Sequence, residues 1–219
     1  MANVEHSTLT GSALHEPKGV ASAAANRVYV SNGLGSGTWT ALSNFNAFGA
    51  QLLHVRDQRS AGTSPQSLTN TGTWQKRDLQ TTSTNEISGA SLSSSVITLP
   101  AGTYYCTAVS AVHINVNPSA SSTSAGEAKL RLRNTTAGTD LIAGHSMSHT
   151  IGNANAGSHQ SVLTNHLGLS GRFTLAGSTN IELQMWTDAT LGNATFTGGA
   201  PINATTNELY SDILIWKVA

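Results

Sequence analysis

Apolar and polar positions alternate along most of this chain, and a period of two predicts strands. The C-terminal stretch, residues 209–218, is the clearest case. It is rich in β-branched and aromatic residues and holds no Gly or Pro. One face carries Ile213 and Ile215; the other carries Leu214, Trp216 and Val218. Both faces are apolar, so the strand cannot be half-wet. A second sheet packed against it covers only one side. The remaining side needs another cover, which we take to be another copy of the chain. Leu214, Trp216, Val218, Ile213 and Ile215 are therefore the candidate interface residues.

Further strands precede it. Leu53 and Val55 share a face within residues 52–56. Residues 96–99 end at a Pro100-Ala101-Gly102 turn. Residues 104–116 form the longest candidate, with Tyr104, Cys106, Ala108, Ser110, Val112, Ile114 and Val116 on one face. Residues 128–133 alternate apolar with basic. Residues 162–169, 172–175 and 181–186 continue the series, with Ile181, Leu183 and Met185 opposite Glu182, Gln184 and Trp186. Glycines at 144, 152, 157, 177 and 199 read as breaks between strands. No segment keeps a 3.6-residue period over three turns. Many short strands at near-regular spacing predict an all-β sandwich or barrel over residues 51–219.

Residues 1–50 differ. Residues 6–20 show no sustained period, residues 26–31 read as a short strand, and the Asn32-Gly33 cluster turns toward a return strand at 38–40. This segment has too few apolar residues to bury a core of its own. It reads as an extended arm ordered by a partner.

Composition adds to this picture. Charged residues are 10% of the 219 positions and the formal net charge is zero, against about a quarter charged in ordinary soluble domains. A weakly charged, neutral surface favours association and suits a subunit of an assembly. No excess of Lys and Arg points to nucleic acid. No apolar run approaches the roughly 18 residues of a membrane span, and the N-terminus lacks the pattern of a signal peptide. The single cysteine, Cys106, excludes an intrachain disulfide and reads as a small buried apolar residue.

Candidate chemistry is sparse. Of eight histidines, His145 and His149 have ligand spacing only on a helix; on a strand they stand about 13 Å apart. They read as surface or interface residues, with a symmetric ring of three around an axis left open. Gly33, Gly35 and Gly37 are followed by a Trp-containing strand rather than a helix, so they read as a turn and not a phosphate cradle. No nucleophile elbow is present, and the few carboxylates mark no sugar cleft. An enzyme is not expected, and neither a metal nor a cofactor is called for. Trp186, Phe196 and Trp74 lie near strand ends and are candidate glycan contacts, with closing of the core as the plainer role.

Leu99-Pro100-Ala101-Gly102-Thr103-Tyr104-Tyr105, residues 173–183 and the terminal apolar strand resemble the jelly roll of the tumour-necrosis-factor family and of complement-type globular heads. The resemblance spans about residues 51–219. It implies that the last strand lies at the centre of the inner sheet, with three copies packed around a threefold axis. Leu14-His15-Glu16-Pro17-Lys18-Gly19-Val20, followed by residues 28–33 and 35–39, resembles the N-terminal segment of tailed-bacteriophage fibre and capsid-fibre proteins. It implies anchoring through His15, Glu16, Pro17, Lys18, Gly19, Tyr29 and Trp39. Together these resemblances imply a homotrimeric virion protein assembled in the host cytoplasm. Its arm, residues 1–50, would hold the major capsid protein or another virion protein, and its head would be a jelly roll over residues 51–219. The chain would be a capsid-exterior decoration or head fibre. The alternative is a tail fibre or receptor-binding protein that grips host surface glycan. The chain has neither a heptad nor a collagen-like repeat to make a shaft, which favours the capsid.

Overall fold

A computed structural model describes residues 22–32, 34, 37–41, 51–69, 71–117, 124–151, 161–191, 193–202 and 205–218. The chain divides into two compact units, residues 1–49 and 50–219. In the first, β1 (Arg27–Ser31) pairs antiparallel with β2 (Gly37–Ala41), which places Tyr29 opposite Trp39. Their rings meet edge-on with centroids 5.3 Å apart. Gly37 is needed there, since a Cβ would sit 2.2 Å from the Val30 carbonyl oxygen. The anchor candidates His15, Glu16, Pro17, Lys18 and Gly19 lie outside the described residues.

The second unit is all strand. In chain order it runs β3 (Gln51–Arg59), β4 (Thr73–Lys76), β5 (Thr81–Asn85), β6 (Ser91–Ser93), β7 (Val96–Leu99), β8 (Gly102–Asn117), β9 (Ser124–Asn134), β10 (Thr139–Ile151), β11 (Ser161–Leu175), β12 (Thr179–Leu191), β13 (Asn193–Thr197) and β14 (Glu208–Lys217). One sheet has the order β11-β8-β14-β3-β5, with β13 added to β8. The other has the order β10-β9-β12-β7-β6, with β4 added to β12. The pairs β3–β14, β7–β12, β8–β11 and β9–β10 nest within one another along the chain. This nested pairing is the jelly-roll sandwich, and β14 occupies the middle of its sheet.

Alternation explains the core. Inward residues of β3, β8 and β14, among them Leu53, Val55, Cys106, Ala108, Ile213 and Ile215, meet Leu130, Leu132, Ile181, Leu183 and Met185 from β9 and β12. Cys106 is fully buried, and burial pushes its thiol up to about 12.

Two expectations about strand limits are corrected. Residues 162–169 and 172–175 belong to one strand, because the long β8 pairs with β11 without a break from Ser161↔Val116 to Leu175↔Gly102. Gly144 lies inside β10, where the register slips between Ala143 and Ser146. A Cβ at Gly144 would stand 2.8 Å from the Leu130 carbonyl oxygen, so glycine marks a bulge with close backbone approach rather than a break.

Candidate functional site

The site is the outer face of the sheet centred on β14. Strand geometry sends Ile213 and Ile215 inward, and both are completely buried in the chain's own core. They are thereby removed from the candidate interface. Leu214 and Trp216 point the other way and stay partly exposed. Val218, just past the strand end, is 45% exposed and donates its N–H to the Thr103 carbonyl at 2.8 Å.

Pairing with β3 and β8 sets the neighbours of these residues. Trp216 lies between Leu52 and Tyr105, with the Tyr105 and Trp216 rings 6.0 Å apart and Tyr105 43% exposed. Leu214 lies between His54 and Thr107, and Asp212 between Arg56 and Val109. A depression of about 240 Å³ opens here, with Val109, Leu209 and Leu214 as its apolar lining and His166 and Asp212 among its polar residues. Asp212 is already engaged: its Oδ1 lies 2.5 Å from His54 Nε2 and accepts from Arg56 Nε at 3.1 Å. The face is therefore an apolar patch bordered by the paired His54, Arg56 and Asp212 on one side and by exposed Arg172, the cross-strand neighbour of Tyr105, on the other.

The outer face of the opposite sheet is built differently. There β9 presents Lys129, Arg131 and Arg133 beside Glu182, Gln184 and Trp186 of β12. The Arg131 guanidinium lies 4.0 Å over the Trp74 ring and donates twice to Gln184 Oε1, at 2.9 and 2.7 Å. Burial lowers its pKa, partly offset by Asp140. Arg133 pairs with Asp140 at 2.8 Å, and the Lys129 ammonium lies 5.5 Å from the Trp186 ring centre. Trp74 and Trp186 are cross-strand partners, each with a cation over its ring. The stacking surface expected for a glycan is thus already occupied on one side. Phe196 is a correction: its side chain is 4% exposed and belongs to the core, where it packs too close to Gly126 for that position to carry a Cβ freely.

Sequence reasoning missed a buried polar cluster. Arg77 is fully buried. It donates to Ser110 Oγ at 2.9 Å, to the Gly198 carbonyl at 3.0 Å and to Gln66 Oε1 at 3.3 Å. Burial lowers its guanidinium to about 10, against the pull of Asp57 and Asp78, so it stays charged at neutral pH. A Cβ on Gly198 would lie 2.3 Å from an Arg77 nitrogen. Asp57 is also fully buried and is held by Arg59 at 2.8 Å. One signal was available: Asp57 follows Leu53 and Val55 on the inward face of β3, and a carboxylate at a core position requires a partner. Nothing local marks Arg77. Among the described residues, no three His, Cys, Asp or Glu side chains converge on a point that could hold a metal ion.

No protein-family model matches the sequence, and no curated protein matches it. Solved structures with a similar strand arrangement include the globular domain of zebrafish complement 1qA protein, which is 13% identical at a TM-score of 0.36 over 78% of this chain and 98% of that one. Murine APRIL at pH 8.0 is 9% identical at a TM-score of 0.35 over 76% of this chain and 98% of its own. The same protein at pH 5.0 is 11% identical at a TM-score of 0.35 over 77% and 99%.

Proposed function

We propose that this protein is a non-enzymatic assembly module. It forms a homotrimer through the outer face of the β14 sheet and decorates the exterior of a bacteriophage capsid, anchored by residues 1–50. The observation that carries the reading is the apolar patch of Leu52, Trp216, Tyr105, Leu214 and Val109 at the centre of a sheet. Burying such side chains is worth about 2 kcal/mol each, and a domain is stable by only about 5–15 kcal/mol. Repeating one heterologous contact around a threefold axis closes a ring and leaves no patch open.

The arm reading is supported by the two-stranded β1–β2 pair, whose ring contact is Tyr29 on Trp39. A two-stranded hairpin by itself is marginal in water; in this reading a partner surface holds it. The virion placement is supported by the resemblance of residues 14–39 to phage fibre segments. The tail-fibre alternative relied on free aromatics for glycan, and Phe196 is buried while Trp74 and Trp186 carry cations.

Sedimentation and native mass spectrometry over a dilution series test the trimer. The expected species is a trimer into the micromolar range, and a monomer at every concentration would sink it. Deleting residues 1–45 should leave a folded trimeric head that no longer enters particles. Copurification of the truncated head with virions would remove the arm as the anchor.

A further inference from the structure

At the other end of β8 the chain builds a second depression, of about 340 Å³, between β8, β13 and the segments 64–67 and 199–201. Its lining includes Ser67 and Thr195 with their hydroxyls, the Asn115 amide and the His113 ring, flanked by Pro65 and Pro201. Among the described residues, no carboxylate, Lys or Arg lines it, and none there favours a charged ligand. The polar groups can both donate and accept, while the proline rings offer small apolar surfaces. Alternating hydroxyls and C–H faces are the chemistry of a sugar ring. The volume lies at the lower end of ligand pockets, roughly 300–1,000 Å³, which suits one or two such rings.

Two further observations point the same way. Asn115 lines the depression, and its buried Oδ1 has no hydrogen-bond partner among the described residues, an acceptor unmet behind the wall. His113 is held in place by a 2.8 Å contact between its Nδ1 and Thr164 Oγ1. The walls are also tied together from beneath. Arg77 reaches both Gln66 and the Gly198 carbonyl, the Gly198 N–H donates to the Gln66 carbonyl at 2.7 Å, and Ser67 bridges to Thr197. A buried guanidinium costs stability unless it is fully bonded, and here its bonds join the segments that form the walls. Preorganised walls are what weak polar ligands require.

We propose that this depression is a binding subsite for a neutral saccharide. The proposal does not depend on a capsid; the pocket shares the outer face of Tyr105 and Val109 but lies further along β8, so it requires that the trimer contact stop short of His113.

The test is a chemical-shift and saturation-transfer titration of the full-length protein, as purified, with glucose, galactose, mannose and N-acetylglucosamine up to about 10 mM, the range of weak sites. At least one sugar should give saturable shifts centred on His113, Asn115 and Thr195. Thr195→Val keeps the side-chain shape at an exposed position and should weaken that binding about tenfold, the loss of one hydrogen bond. Trp186→Ala, on the opposite sheet, should leave it unchanged. No saturable shift with any of the four sugars overturns the proposal. So does binding that Trp186→Ala removes and Thr195→Val does not.

Discussion

The two outer faces of this sandwich solve the same problem in opposite ways. On the β12 side, Arg131 lies over Trp74 and bonds Gln184, Arg133 pairs with Asp140, and Gln184 donates to Glu182 at 2.7 Å. That face finds its partners within its own chain. On the β14 side, His54, Arg56 and Asp212 pair at the margin, exposed Arg172 stands beside Tyr105 on β11, and the centre is Trp216, Tyr105, Leu214 and Val109. Large aromatics occur on both faces, yet only one leaves its apolar surface without a cover. An outward tryptophan is therefore no guide to a binding face until its cross-strand neighbours are known.

The sharpest way to break this contrast is to charge each face in turn. Trp216→Asp should abolish the trimer, since it removes about 2 kcal/mol of burial at each contact and asks for a buried, unpaired carboxylate. Trp186→Asp should leave a trimer. Native mass spectrometry of the two variants decides, and equal behaviour would end the distinction between the faces.

A second experiment asks whether the core beneath the β14 face belongs to the monomer. Cys106 is buried and its thiol is raised to about 12, from 9.0. The protonated thiol is favoured by folding, so its contribution is complete below about pH 9 and is lost as pH rises toward 12. Urea midpoints should fall across that alkaline window in the wild type and fall less in Cys106→Ala, where the buried Tyr104 and Tyr210, both raised by burial, still titrate. Thiol labelling at pH 8 should be negligible in the wild type and remain so in Trp216→Asp. A thiol that reacts on dissociation would mean that the trimer holds the core shut.

The smallest effect is expected on the self-paired face. Arg131→Ala removes the cation over Trp74 and both bonds to Gln184. It should cost about 1–2 kcal/mol in urea unfolding, with no change in sedimentation.

Much of the fold was legible in local pattern. The inward sets on β3, β8, β9 and β12 follow from period-two alternation, because a strand's faces are fixed by its own backbone. The two apolar faces of β14 asked only for cover on both sides; its central position was what the resemblance to tumour-necrosis-factor and complement-type jelly rolls implied. Continuity through Ser170 and Gly171 was not legible, because β8 on the partner side holds that stretch together. Gly144 looked like a break for the same reason: a bulge is a property of a pair of strands. The site was legible in part. Leu214, Trp216 and Val218 do lie on the uncovered side, whereas Ile213 and Ile215 face the other sheet; alternation separates the two faces but does not say which one meets the core.

The amino-acid sequence by itself determined that this chain is all-β, a sandwich or a barrel, and which residues of each strand share a face, because those depend on neighbours two positions apart. Only the tertiary structure decided what each outward residue touches. Arg131 reaches Trp74, Arg77 reaches Gly198 and Asp212 reaches His54 through pairings between strands far apart in the chain. Local periodicity carries no information about such pairings, since it is register between distant strands that brings a charge to its partner.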